Sequence, residues 1–528
     1  MMIKRVLRSA LLATAAALGL LLVTVVALLV MPLPSMPEPA RAGDFLVRNI
    51  NIIDVTDGRV LANRDITIRQ GVITAINVAG NSDAASHGQA AELIEIDGQG
   101  KYALPGLWDM HSHSTSLAEQ YLHPLFLANG VTGLRDMWGC MDRPDSYIAC
   151  QDQREAWSTK LREGSIRSPR FVLQGSFQIN GGNEVPEGYP DFFKARTPQE
   201  AQQLAGYYAG KGVDFLKTYS QLTPAAYLAL AEAAKNRQLT LAGHRPFGIS
   251  LQQAITAGQR SIEHPRLFLL ECYRQAAQFR AEPEPLVAYT MELRQRLVSE
   301  HDDLRCGQLM RTMAQSTTAW TPTLQVLRMS ARADDISFRV DERLLYIPWV
   351  LEQGMWQGDA DRAAARARTG PYRDADKAMY RMAQVQVGQA HAAGVELLVG
   401  TDATDTYVFP GFSVHDELAE FVVAGIVPAE VLKIATLGAA QYAGVGQDFG
   451  SIEVGKVADI LLLNGNPLQD INATKSIHGL LFNGQFFNRG GLDQLLLFGA
   501  AQASSLQFNL QLLWRMLSSP IVRVQLAD

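Results

Sequence analysis

Two imidazoles in the pattern His111-Ser112-His113 close a run that reads as a β-strand. In a strand residues i and i+2 face the same way, so both rings can reach one point. Four more groups of related chemistry end later strand-like runs: Lys217 after Val213-Asp214-Phe215-Leu216, His244 after Leu241-Ala242-Gly243, His264 after Ser261-Ile262-Glu263, and Asp402 after Gly400-Thr401. Imidazole and carboxylate are borderline ligands that suit Zn²⁺ and its neighbours in the first transition series. A catalytic zinc usually takes three protein ligands and keeps a position open, so six such groups imply two divalent ions, with zinc the expected metal. Lysine ligates poorly as an ammonium, but burial depresses its pKa, and the neutral amine can capture CO₂ to give a carbamate that bridges two metals. Val213, Phe215 and Lys217 share strand parity, which turns Lys217 inward.

These residues need a frame that brings strand ends together. Between residues 103 and 445 apolar strand-like runs alternate with helical patterns, the signature of βα units and a parallel sheet. Eight strand candidates fall at 103–113, 130–137, 170–179, 213–219, 239–244, 260–264, 317–324 and 395–402. Eight parallel strands with intervening helices predict an α/β fold, a closed (β/α)8 TIM barrel whose functional residues project at the strand C-termini. The interval after the sixth strand is too long for one helix, which predicts helical insertions at about 267–315 and 328–389 that wall the mouth. Short β-branched runs in 43–102 and again in 446–490 predict a small composite β-sandwich built from both chain ends, followed by a helical tail over 491–528. The tail carries Leu506, Leu510, Leu513 and Leu517 with Trp514 at helical spacing, expected to pack on the body.

The ordered set His111-x-His113, Lys217, His244, His264 and Asp402 stands with Pro105-Gly106-Leu107-Trp108-Asp109 ahead of it and Gly450-Ser451-Ile452 and Asp459-Ile460 behind it. Together they resemble the amidohydrolase superfamily, over about residues 45–470. Leu127-Ala128-Asn129-Gly130-Val131-Thr132, the text around Lys217, Gly411-Phe412-Ser413 and Ala435-Thr436-Leu437-Gly438-Ala439-Ala440 are similar to its imidazolonepropionase-related, prolidase-like subgroup with binuclear centres. The resemblance implies that His111, His113 and Asp402 bind the buried metal, His244 and His264 the outer one, and that carboxylated Lys217 bridges them. It implies hydrolysis of an amide bond, with dipeptides or N-acyl amino acids as leading small-molecule substrates, by a metal-bridging hydroxide whose proton Asp402 takes and passes to the leaving amine. A lactone, cyclic amide or other ester would suit the same hydroxide, and a non-catalytic metal-binding envelope protein is the reading from another class. Tyr219 and Arg245 are the substrate-binding candidates; Asp109 is a candidate partner for a histidine ring, and His123 and His415 are expected to be structural or to support the ligands.

The rest of the sequence sets the compartment. The 528 residues, 47% hydrophobic and 19% charged, exclude a disordered chain, and a net charge of −6 with no basic domain excludes a nucleic-acid partner. Lys4, Arg5 and Arg8 precede an uncharged run over 10–31, long enough for a bilayer at about 1.5 Å per residue. Residues 1–42, with a Pro-rich linker at 32–39, therefore read as a retained membrane anchor or, with Ala40-Arg41-Ala42 before Gly43, as a cleaved signal; either way the body, of net charge −9, is extracytoplasmic on the periplasmic side. Four cysteines fall into two local pairs, Cys140 with Cys150 and Cys272 with Cys306, expected as disulfides of an oxidising compartment. A homo-oligomer is compatible with all of this.

Overall fold

The computed structural model describes residues 2–38, 40–80, 93–368 and 370–527; Pro39 of the linker and residues 81–92 of the first sheet segment lie outside the described residues. Seven strands and one extended segment form the barrel. Leu107–Ser112, Val131–Asp136 and Arg170–Gln174 pair in parallel, as do Phe215–Thr218, Thr240–Gly243, Gln259–Glu263 and Ala319–Thr321. Bridges at Gly175–Phe215 and Ile179–Thr218 join the two groups. The eighth member, 395–402, is held by bridges at Trp320–Leu397 and Ser112–Ala403 and by backbone bonds from Met110 N to Val399 O and Asp402 N to His111 O, 2.8 Å each. The ring is thereby closed into a TIM-barrel-like α/β domain. Gly400 allows this seam, because a Cβ there would lie 2.7 Å from the His111 Cβ and 2.6 Å from Thr321 Cγ2.

The first strand candidate, 103–113, divides in two. Tyr102–Pro105 pairs antiparallel with Ile460–Leu463 in the composite sheet, and only Leu107–Ser112 enters the barrel. The switch falls at Gly106, whose N–H bonds to Asp459 O and whose missing side chain leaves room for Thr132. Strands from both chain ends join in one continuous nine-stranded sheet around Phe45, Ile50, Ile66, Ile460 and Leu481, where two facing sheets were expected.

The long intervals are helical. Leu324–Arg332 and Met291–Ser299 both pack on Ala375–Ala392, so the two insertions brace each other. Disulfides join Cys140 to Cys150 and Cys272 to Cys306. Met2–Val30 is one helix, with a span of mean hydropathy 2.6 at Ala10–Val30 that no other part of the chain buries. The tail forms Arg489–Ser504, Leu506–Ser518 and Pro520–Ala527. Its expected packing stripe is reversed: Phe508, Leu512 and Met516 are the buried face, while Leu506, Trp514 and Leu517 are exposed.

Candidate active site

The strand ends bring the six ligand candidates to one end of the barrel. The rings of His113, His111, His264 and His244 follow one another with centroids 5.4, 4.9 and 4.5 Å apart, and Tyr219 stacks on His244 at 3.8 Å. Asp402 reaches into this row, its Oδ1 2.8 Å from His113 Nε2 and 3.3 Å from His111 Nε2, and its Oδ2 3.6 Å from His264 Nδ1. Lys217 is buried on the same side, its Nζ 5.8 Å from the centre of the Tyr219 ring.

Two of these groups reach the mouth by leaving strand geometry. His264 and Asp402 have φ of +73° and +69°, left-handed values that non-glycine residues rarely adopt and that cluster at functional sites. The turn at His264 lets Ser261 and Glu263 keep the inward parity of their strand while His264 also faces the site.

Beneath the rings lies a charged buried network that sequence reasoning missed. Glu263 Oε2 bonds His111 Nδ1 at 2.9 Å and, with Oε1, receives Arg135 Nη2 at 2.9 and 3.0 Å. Arg135 is fully buried and also donates to Ser261 Oγ, Thr321 Oγ1, the Tyr442 hydroxyl and Met110 O. Burial would raise the Glu263 carboxyl, but the Arg135 charge and the His111 bond outweigh it and hold it at about 2. An ionised Glu263 accepts the proton of His111 Nδ1 and so turns the lone pair of Nε2 toward the mouth, where that atom has no hydrogen-bond partner. Ser220 Oγ on His244 Nδ1 and Thr323 Oγ1 on His264 Nδ1, 2.8 Å each, orient the other two rings. Asp109 does not touch a ring: it receives Thr401 Oγ1 at 2.6 Å, Thr401 N at 3.0 Å and His111 N at 3.1 Å, tying the eighth barrel segment to the first strand.

The electrostatics suit metal ligation. Burial lowers the His113 imidazole to about 4 and His264 to about 3, and lowers His244 well below its ordinary range, so these rings are neutral bases at pH 7. Burial opposes ionisation of Asp402, but the surrounding imidazoles outweigh it and hold the carboxyl well below its usual range. Burial lowers the Lys217 ammonium to about 8, which supplies free amine near neutral pH. Asp405, raised to about 7 by burial and the Asp402 charge, is a further carboxyl beside the site. His111, His113 and Asp402 offer ligand atoms all within 4.8 Å of one another, and His111 Nε2 and His113 Nδ1 are buried without a hydrogen-bond partner. Burial would lower the His111 imidazole, but the Asp402 and Glu263 charges outweigh it and raise it, so an incoming divalent metal would displace its proton. Three neutral imidazoles, that oriented ring and one ionised carboxylate make a donor set that fits such an ion.

A small cleft beside His244 and His264 is lined by Ser220, Phe247, Glu263 and two arginines. Arg245 is spent on protein contacts: its guanidinium lies 3.3 Å from Glu271 and donates to the Ile249 carbonyl. Arg266 is partly exposed to the cleft, and no carboxylate pairs with it among the described residues. Its charge acts on Tyr219, His244 and His264. The residue follows Pro265 at the start of the short helix Arg266–Glu271 and carries no strand-end signal, which hides it in the sequence. His123 is packed on Trp157 and Phe171, and His415 bonds Thr474 and the Asn129 carbonyl, so both are structural. A larger cavity beside Cys140–Cys150, lined by Asp142, Arg143, Asp152 and Lys211, contains none of the six ligand candidates.

Comparison with known proteins agrees with this fold. Residues 380–486 match the model of the Amidohydrolase family. Among solved structures, a protein of Bifidobacterium longum described as a prolidase aligns at 22% identity and TM-score 0.58 over 87% of this chain and 99% of its own. A bottromycin amidohydrolase aligns at 22% identity and TM-score 0.66, over 88% and 91%. A Xaa-Pro dipeptidase with bound methionine in its active site aligns at 19% identity and TM-score 0.57, over 84% and 100%. No curated protein sequence shows a significant match.

Proposed function

We propose, with the likeness to the amidohydrolase superfamily and its prolidase-like members as premise, that the chain is a binuclear metal-dependent amidohydrolase that cleaves the amide bond of dipeptides or N-acyl amino acids. The observation that carries this reading is the convergence of four imidazoles, Asp402 and buried Lys217 at one barrel mouth. On this reading His111, His113 and Asp402 would hold one ion, His244 and His264 the other, and Lys217 would be shared between them as a carbamate. Two divalent ions held there, zinc foremost, would lower the pKa of water and polarise a carbonyl.

The chain's own groups supply the rest. Asp402 accepts the proton of the attacking water and delivers it to the nitrogen of the departing amine, a role its position between the His111 and His264 rings allows. Glu263 and Arg135 keep His111 in one tautomer throughout the cycle. Arg266 pairs with the free carboxylate that dipeptides and acyl amino acids share, and the Tyr219 hydroxyl, raised to about 12 by burial, stays protonated as a donor. With Ala10–Val30 as a membrane span or signal, the barrel works outside the cytoplasm, where the two disulfides are stable.

The test is hydrolysis by the zinc-loaded full chain of a panel of dipeptides, acyl amino acids, lactones and esters, with Asp402→Asn as control. Amide cleavage that falls by about 10² to 10⁴ in the variant is the expected result. Turnover of lactones or esters alone, or an Asp402→Asn variant as fast as the parent, contradicts the assignment.

A further inference from the structure

The C-terminal helix Leu506–Ser518 has two unlike faces and a third contact that links it to the N-terminus. Phe508, Leu512 and Met516 pack on the body, and Val350 N bonds Asn509 Oδ1 at 3.1 Å. On the opposite side Leu506, Trp514 and Leu517 stand 59%, 60% and 56% exposed, with half-buried Leu510 between them, while Leu513 packs partly on the body. On the flank, Gln507 and Gln511 reach the end of the N-terminal helix. Gln511 Nε2 bonds Leu28 O at 3.0 Å and Met31 O at 2.8 Å, and Gln507 Nε2 bonds Met31 O at 2.9 Å. Carbonyls of a last helical turn have no partner within the helix, so these two glutamines cap the span where it ends at Val30.

That capping sets the height of the apolar face. Leu28 is in the last turn of the Ala10–Val30 span and Met31 directly follows it, so the exposed stripe lies at the level where the span leaves the hydrocarbon. A tryptophan with an apolar ring and an N–H donor is the residue type enriched at that depth. The charge pattern agrees: between Gln494 and Ala527 there is no Asp or Glu, only Arg515 and Arg523, in a chain of net charge −6. This end of the acidic body is therefore free of repulsion from anionic headgroups. We propose that Leu506–Ser518 is a membrane-docking helix that lies in the interface of the bilayer, with Leu506, Leu510, Trp514 and Leu517 in the acyl boundary. The proposal rests on reading the N-terminal helix as a retained span. Two points of attachment then hold the barrel in a fixed attitude on the lipid surface.

The experiment uses the full chain as cells process it, in phosphatidylcholine–phosphatidylglycerol vesicles with and without lipid brominated near the headgroup end of the acyl chain. The readout is tryptophan emission of the parent and of Trp514→Phe. The parent should lose more intensity to brominated lipid than the variant, and its emission should shift to the blue. Leu506→Ser/Leu517→Ser should lose that quenching with hydrolytic activity unchanged. Equal quenching of parent and Trp514→Phe overturns the proposal, as does a Leu517→Cys chain that pairs with a second copy as a disulfide-linked dimer. Intact mass and alkaline carbonate extraction report the span separately. A retained span with no Trp514 quenching rejects docking alone, and a cleaved chain whose Trp514 is still quenched by added vesicles rejects the anchor alone.

Discussion

Glu263→Gln perturbs the site without removing a ligand. The carboxylate accepts from Arg135 and from His111 Nδ1 at once. An amide cannot do both: with its oxygen toward Arg135 its NH₂ faces His111, moving the ring proton to Nε2, the atom needed for metal; turned round, two donors face each other across the Arg135 contact. Supporting carboxylates of metal-bound histidines are usually worth about 10- to 100-fold in metal affinity or activity. Stability falls for a separate reason. A carboxyl held at about 2 against an ordinary 4.5 contributes about 3 kcal/mol. Because the folded-state pKa is the lower one, that contribution is present above pH 4.5 and is lost as pH falls from 4.5 toward 2. Removing one partner of a buried pair costs a similar ~3–5 kcal/mol, because the Arg135 charge is left uncompensated. Metal affinity by chelator competition and the urea midpoint at pH 7 read the two effects. In Arg135→Met/Glu263→Leu the midpoint should largely recover and the metal affinity should not. A Glu263→Gln chain with parental metal affinity and parental midpoint refutes the reasoning.

Other perturbations test neighbouring parts of the account. Arg266→Met should raise KM for dipeptides and acyl amino acids by about 10-fold or more, the worth of a charge-assisted bond, and leave carboxamide-capped substrates unchanged; equal effects on both classes would remove Arg266 from carboxylate recognition. Gly400→Ala should cost about 1–3 kcal/mol from overpacking at the barrel seam, together with activity, because His111 is one of the groups its Cβ would strike; a parental urea midpoint would show that the seam can yield.

The barrel and the convergence of the six ligand candidates were legible because several of its strands end in one polar residue after an apolar run, as at Lys217 and His244. Parity arguments stop where the backbone leaves the strand region. His264 and Glu263 are sequence neighbours and alternation would send them to opposite faces, yet the left-handed turn at His264 brings both to the site. Arg135 is the next-to-last residue of its strand, between Leu134 and Asp136, and only the tertiary contact with Glu263 explains a buried charge there. The segment 395–402 reads as a strand but is held by single bridges and a few backbone bonds, because it packs closely on its neighbours at Gly400 and leaves strand geometry at Asp402. The tail stripe was visible as a periodicity, which gives a face and not its partner; Phe508, Leu512 and Met516 compete for the same helix and win the body.

The central claim is a two-metal centre bridged by Lys217. Elemental analysis of zinc-loaded, desalted chain measures it directly. The account predicts about two ions per parent chain and one or fewer in Lys217→Ala, as expected when a bridging ligand is lost from a site of fixed coordination number. A parent that retains one ion, or a Lys217→Ala chain that retains two, contradicts it.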